Sequence, residues 1–239
     1  MVDRVTTSEM VFRHVRDAII SGELDAGSQH SIYGLAEQLG VSRTPVRDAM
    51  LRLSDAGLVS IERNRGIRIR GLSVTDVRSI FELRLMIEVP AAGVAAASGR
   101  PRLIRSLDEE LVAMERAIDT ADAAAFFEHD RRLHSGIIDA FGNERASHVI
   151  AGLRDSTQIM GASTLDGFRT MHDIRSEHLP VIDAIRTGDQ RAAAAAMASH
   201  LVNTGSLLMT QAAERGGGEF DPAWAERLVP FLVPQVRPA

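Results

Sequence analysis

Four side chains in the second half of the sequence have the types and spacing that bind a metal ion. Asp130 and His134 are four residues apart in a helical segment, so both lie on one helix face. His178 and His200 follow in two further helical segments. Neutral imidazoles and a carboxylate are suitable ligands for Zn, Ni, Fe or Mn. We therefore predict a divalent-metal site formed by Asp130, His134, His178 and His200.

A second group of residues has the chemistry that reads DNA. Residues 42–53 are predicted to form a short amphipathic helix, in which Ser42 can cap the first turn. The apolar face consists of Val46, Ala49, Met50 and Leu53. Arg43, Thr44 and Arg47 share the adjoining face, where guanidinium and hydroxyl groups suit phosphates and base edges.

The flanks of this helix predict a winged helix-turn-helix. A short helix is predicted at residues 32–39, followed by a tight turn at Gly40 and Val41. Downstream, Val59/Ile61 and Ile67/Ile69 alternate with polar residues, which predicts two strands of a hairpin that turns at residues 64–66. Residues 41–71 hold seven Arg and three acidic residues, although the whole chain has a net charge of −5. The positive charge is therefore concentrated in the segment that would contact the DNA phosphate backbone.

The segment LGVSRTPVRDAMLRLSDAGLVSIERNRGIRI, within residues 8–71, resembles the DNA-binding domain of GntR-family bacterial transcription regulators. The resemblance implies that Arg43, Thr44 and Arg47 contact the major groove. It also implies that the wing tip, with Arg65 and Gly66, contacts the minor groove. One departure is Tyr33, at a position where members of the subfamily often carry Arg.

The remainder of the chain is predicted to be nearly all helical. The predicted helices cover residues 74–98, 101–119, 122–140, 143–161, 166–187 and 189–213, which gives a mainly α fold with a six-helix antiparallel bundle. The motifs DRRLHSGIIDAFGN and HLPVIDAIRTGD resemble the FCD ligand-binding domain of FadR-like GntR regulators. That resemblance implies that the four metal ligands hold a divalent ion and that a small carboxylate effector completes its coordination.

Two further residues are candidates for effector binding. Arg84 is predicted to face the cavity and pair with an effector carboxylate, as an Arg near this place does in similar proteins. Alternatively, Arg84 forms only a helix pair with Glu88, four residues later. Asn203, one turn after His200, is placed to line the same cavity.

Composition limits the remaining possibilities. The 239 residues suffice for two domains, and we predict domains at residues 1–71 and 72–214 followed by a tail at 215–239. The absence of Cys excludes disulfides and thiolate metal sites. No apolar run approaches membrane-spanning length, so a cytoplasmic protein is expected.

These features predict a homodimeric, ligand-responsive transcription regulator that binds a palindromic DNA operator. Repression of a metabolic operon, relieved by a small organic acid, is the expected mode. The alternative is a metal-free regulator that binds an apolar or acyl ligand. A metalloenzyme is disfavoured because the sequence has no His-Glu-x-x-His motif, nucleophile elbow or phosphate-cradling Gly loop. An architectural DNA binder without effector is the third rival.

Overall fold

The computed structural model describes residues 6–63, 65–70, 73–159, 164–165 and 169–233. As far as these residues show, the chain divides into two compact units. The first takes in the described parts of Met1–Asp76, Asp155–Ala162 and Gln211–Glu219, and the second the described parts of Val77–Arg154, Ser163–Thr210 and Phe220–Ala239.

The N-terminal unit contains the predicted winged helix-turn-helix. Its elements are α1 (Thr7–Ser21), β1 (Gln29–His30), α2 (Ile32–Gln38), α3 (Arg43–Asp55), β2 (Val59–Glu62) and β3 (Gly66–Ile69). The strands form an antiparallel sheet in the order β1-β3-β2. β1 was not predicted, because two residues carry no alternation and become a strand only through pairing with β3.

Helix α3 packs its apolar face into the core of this unit. Val46, Ala49, Met50 and Leu53 are buried, which confirms the predicted face. One sequence prediction here was wrong in detail, at Ser42, whereas the strand predicted around Val59 and Ile61 is confirmed as β2. Ser42 occupies the N-cap position of α3 but makes no side-chain cap hydrogen bond. Ile61 is exposed because the outer side of β2 is left uncovered in the described residues, whereas Val59, Ile67 and Ile69 are buried.

The helical region follows the prediction closely. Its helices are α4 (Val74–Ser98), α5 (Pro101–Asp119), α6 (Ala123–Ala140), α7 (Glu144–Ile159), α8 (Met171–Thr187), α9 (Gln190–Glu214) and the short α10 (Val229–Leu232). The predicted start of α8 at residue 166 was wrong. Thr170 is extended and exchanges hydrogen bonds with Asp173 in a capping box, so the helix begins at Met171. Residues 160–161 and 166–168 of the predicted helices lie outside the described residues.

Trp224, in the predicted tail, packs on the helical unit. The indole of Trp224 is buried, and its Nε1 donates a hydrogen bond to Ser206 Oγ at 3.0 Å. A Cβ at Gly205 would lie 3.0 Å from both the Phe81 ring and the Trp224 ring, so only glycine leaves room for this contact. Within the described residues, no helix has the length and apolarity needed to cross a membrane.

Candidate functional site

The N-terminal end of α3 presents the predicted DNA-reading side chains. Arg43, Thr44 and Arg47 are exposed, beside the buried apolar face. The guanidinium of Arg43 lies over the ring of Tyr33, 5.3 Å from its centroid. Tyr33 is itself 57% exposed, so this cation–π contact orients Arg43 without removing it from solvent. Tyr33, the departure noted in the sequence, therefore contacts Arg43 through its ring.

The wing shows why its glycine is needed. Gly66 has φ +94°, and a Cβ there would lie 2.2 Å from the carbonyl oxygen of His30 in β1. Gly66 thus allows β1 to approach β3, which is a structural reason independent of DNA. Arg65 is exposed beside it, whereas Arg68 donates from Nε to Glu62 Oε1 at 2.6 Å. Contact of Arg65 and Gly66 with DNA remains a prediction.

Three of the four predicted metal ligands come together inside the helical unit. His134, His178 and His200 are buried, on α6, α8 and α9 respectively. Their ring centroids are 4.4 to 5.3 Å apart. One ligand nitrogen from each ring lies within 4.8 Å of the other two, so the three imidazoles could hold one metal ion.

Hydrogen bonds fix the same nitrogen of each imidazole. In every ring, Nδ1 faces an oxygen that can only accept, since the partner is a carboxylate or a backbone carbonyl. The pairs are His134 with Glu88 Oε2 at 2.5 Å, His178 with the carbonyl of Ile174 at 2.8 Å, and His200 with Glu177 Oε2 at 2.8 Å. The proton of each neutral ring therefore sits on Nδ1, and Nε2 is left as the lone-pair atom, as in metal-binding histidines.

Asp130 adds a fourth lone-pair atom to this group. Its Oδ1 lies 3.1 Å from His178 Nε2 and 3.9 Å from His134 Nε2, and the two Nε2 atoms are 3.1 Å apart. Acceptors this close repel one another unless a cation lies among them. Burial lowers the pKa of His134 to about 3 and that of His200 to about 4. At neutral pH these two rings are therefore uncharged, and protonation does not supply the cation. The donor set fits a divalent metal.

Arg84 acts on this group through Glu88. Its Nε donates to Glu88 Oε1 at 2.6 Å, and the two side chains are only 5% and 1% exposed. Burial alone would raise the pKa of Glu88, but Arg84 and His134 outweigh it and hold the pKa well below its ordinary value. Glu88 is thus an anion that fixes the proton of His134. The structure shows the pair of Arg84 with Glu88 on one helix, which was the alternative interpretation of Arg84. Contact of Arg84 with an effector remains a prediction.

Asn203 and Arg169 orient Glu177, as Arg84 orients Glu88. Asn203 Nδ2 donates to Glu177 Oε1, and Arg169 Nη1 donates to Glu177 Oε2 at 2.7 Å. Glu177 is also the acceptor for His200. Asn203 therefore supports the orientation of the His200 imidazole through Glu177, and its predicted role toward an effector is not tested by this contact.

Sequence reasoning missed several residues that surround the ligands, namely Glu88 as a histidine partner, Arg154, Arg169 and Glu177. Glu88 carried a usable signal, because it is a charged residue within the apolar stretch RLMIEVPAAGVAAA of α4. Glu177 directly precedes His178, which is a weaker signal. Arg154 and Arg169 carried none, since an arginine in a helix or loop is ordinarily solvated.

Comparison with known proteins finds a matching family for each of the two parts of the chain. The profile for the FCD domain matches residues 79–203, and the profile described as bacterial regulatory proteins, gntR family, matches residues 7–69. An uncharacterized HTH-type transcriptional regulator of Agrobacterium vitis is 33% identical over 130 residues, covering 53% of this chain and 76% of that protein. The HTH-type transcriptional repressor RspR of Escherichia coli is 25% identical over 194 residues, covering 81% and 85%.

A solved structure shares the fold. That of Lar, described as controlling the expression of the Listeria monocytogenes agr system, superposes with a TM-score of 0.67 at 20% identity, covering 86% of this chain and 97% of Lar. The matched family and the related proteins are transcription regulators and not enzymes. The chain belongs to the GntR family of bacterial transcription regulators, in the FadR-like subfamily that carries an FCD domain.

Proposed function

We propose that this DNA-binding regulator is a homodimeric repressor of a metabolic operon that senses a small organic acid through a metal-containing helical domain. Residues 1–71 read DNA, residues 72–214 hold the metal and the effector, and the protein works in the cytoplasm, where the chromosome lies. The observation that carries the sensing part is the convergence of four acceptor atoms, from Asp130, His134, His178 and His200, with no cation of the protein's own among them in the described residues.

The metal would be held by these four side chains and would supply a positive centre for an oxygen ligand. Zn, Ni, Fe and Mn all suit the donor set. The chain's own part is orientation, because Glu88 and Glu177 fix the protonated nitrogens of His134 and His200. Such outer partners commonly change metal affinity by about 10–100-fold when they are removed.

The polar surroundings also favour a small acid over an apolar or acyl ligand. The ligand imidazoles are bordered by the buried or half-buried groups Arg84, Glu88, Arg154, Arg169 and Glu177. An apolar chain placed among them would separate charged partners without replacing their contacts, which is costly. A carboxylate can instead accept from guanidinium groups and bind a metal.

Dimerisation is supported by helix α4. Leu83, Met86 and Val94 lie on one side of this helix and are 40–44% exposed, so they offer an apolar strip to a second copy of the chain. A twofold dimer would place two copies of α3 on the half-sites of a palindromic operator. The effector changes DNA binding only if it prefers one of two arrangements of the dimer.

Three measurements on the full-length protein test this proposal. Elemental analysis should find about one divalent ion per chain, and a thermal-shift screen of small carboxylates should raise the melting temperature of the loaded protein. Footprinting should show a protected inverted repeat that is lost when the stabilising acid is added. His134→Ala should abolish the response to the acid and leave DNA affinity largely unchanged. If the protein contains no stoichiometric metal but still binds an acyl ligand and then releases DNA, it is the metal-free regulator of the alternative.

A further inference from the structure

Arg154, on α7, has a hydrogen-bond donor that meets no acceptor in the part of the chain that the structure describes. Its Nη2 pairs with Asp130 Oδ2, and its side chain is only 13% exposed. Its Nε is buried and, among the described residues, has no hydrogen-bond partner. A buried donor without an acceptor costs about 1–3 kcal/mol, so such groups usually receive a partner from water or a ligand.

The charges around the imidazoles indicate what kind of ligand this is. Among the described residues, three guanidinium groups pair with three carboxylates next to the three imidazoles. The pairs are Arg84 with Glu88, Arg154 with Asp130, and Arg169 with Glu177. These pairs cancel, so a divalent ion leaves two positive charges uncompensated in a buried place. Uncompensated buried charge is expensive, and an anion that binds together with the ion removes that cost.

Arg154 is also the guanidinium best placed to meet such an anion. Asp130 connects it to the ligand group, because Oδ1 faces the imidazole nitrogens while Oδ2 faces Arg154. Arg169 is committed elsewhere, since its three nitrogens donate to Thr164, Glu177 and Thr204. Within the described part of the chain, Arg154 Nε is the one buried arginine nitrogen without a partner.

We infer that Arg154 is the anion-binding residue of the sensing site, and that a small carboxylate and the metal ion bind with positive coupling because Arg154 and the ion share one anionic ligand. The inference rests on the proposed function, and it moves the effector contact from Arg84 to Arg154. Arg84 then acts as a positioning residue for Glu88. The coupling is reciprocal, so the carboxylate must also raise the affinity for the metal.

The test uses the full-length protein, stripped with a chelator and reloaded with Ni²⁺ or Zn²⁺. Succinate and acetate serve as probe anions, and neutral succinamide is the control ligand. The variants are Arg154→Lys, which keeps the charge but loses the Nε donor, and Arg145→Lys, which makes the same change at an exposed position of α7. Metal content, the melting temperature against anion concentration, and the metal affinity with and without anion are measured.

The expected result is stabilisation of the loaded wild type by at least one anion and not by succinamide. Arg154→Lys should weaken the apparent anion affinity by about tenfold or more, as for loss of a hydrogen bond between charged groups. It should retain its metal, and Arg145→Lys should match the wild type. Anion affinity unchanged in metal-loaded Arg154→Lys would overturn the inference while leaving the proposed function intact.

A second comparison needs no variant and covers the case in which Arg154→Lys does not fold. The charge argument requires that succinate or acetate stabilise the loaded wild type much more than the stripped protein. Equal stabilisation of both forms would overturn the inference. If the wild type holds no stoichiometric metal, the metal part of the proposed function fails first, and the inference fails with it.

Discussion

The arginines of the DNA-reading unit and those of the helical unit are used in opposite ways. Arg43 and Arg47 are exposed at the start of α3. Arg84 is buried and the side chain of Arg154 is only 13% exposed, and each pairs with a carboxylate next to the histidine group. An exposed arginine is available to an external partner and contributes little to the fold. A buried one cannot be removed without leaving an unpaired charge, so we expect it to contribute both to stability and to the proposed sensing site.

The largest effect is expected from breaking a buried pair on α4. Glu88→Ala should lower the free energy of unfolding by about 3–5 kcal/mol, because Arg84 is left buried and unpaired. The matched control is Glu82→Ala, which breaks the exposed pair Arg78–Glu82 of the same spacing on the same helix and should cost about 0–1 kcal/mol. Urea unfolding measures both. Similar costs for the two variants would remove the distinction between buried and exposed arginines.

Acid should destabilise the chelator-treated helical unit early. The folded pKa values of His134 and His200 are lowered to about 3 and about 4, below the value of about 6.5 in the unfolded chain. The stability that these neutral rings contribute is therefore complete above pH 6.5 and is lost as the pH falls toward the folded values. The loss approaches about 1.4 kcal/mol per pH unit for each ring. Urea unfolding between pH 7 and 5 should show this slope in the free energy of unfolding. The control variant His148→Ala, at an exposed position, should show the same slope as the wild type. A free energy of unfolding that does not change with pH would contradict the prediction.

Loss of an exposed arginine should affect DNA binding and not folding. Arg43→Ala or Arg47→Ala is expected to weaken operator binding by about 1–3 kcal/mol, because each loses a base or phosphate contact. Binding to the footprinted duplex and the melting temperature are measured side by side. If affinity is unchanged, or if the melting temperature falls as much as in Glu88→Ala, the assignment of α3 as the DNA-reading helix is wrong.

The smallest effect is expected at Tyr33. Its ring orients Arg43, so Tyr33→Ala should weaken operator binding by about 0.5–1 kcal/mol, the strength of an exposed cation–π contact. Tyr33→Phe keeps the ring and should bind like the wild type. In the Arg43→Ala background, Tyr33→Ala should have no further effect. A full effect in that background would show that Tyr33 acts on DNA independently of Arg43.

The sequence by itself determined most of the elements and which three histidines to expect together. Helical periodicity and capping signals located α4 to α7 and α9 to within about two residues, since these signals are local. It missed β1, which exists only through β3, and it placed the start of α8 too early because the capping box of Thr170 overrides the helical pattern. The spacing of Asp130 and His134 sufficed to predict one shared face, which the structure confirms by bringing both near His178.

Only the tertiary structure decided which charged residues serve those histidines. Glu88 and His134 are 46 residues apart, and Arg154 and Asp130 are 24 apart, so no local pattern could pair them. Pairing of buried charges depends on which helix faces meet, because only a partner within hydrogen-bond reach offsets the cost of removing a charge from water. Exposed residues such as Arg43 need no such partner, and for that reason a DNA-contacting role is proposed for them from type and position alone.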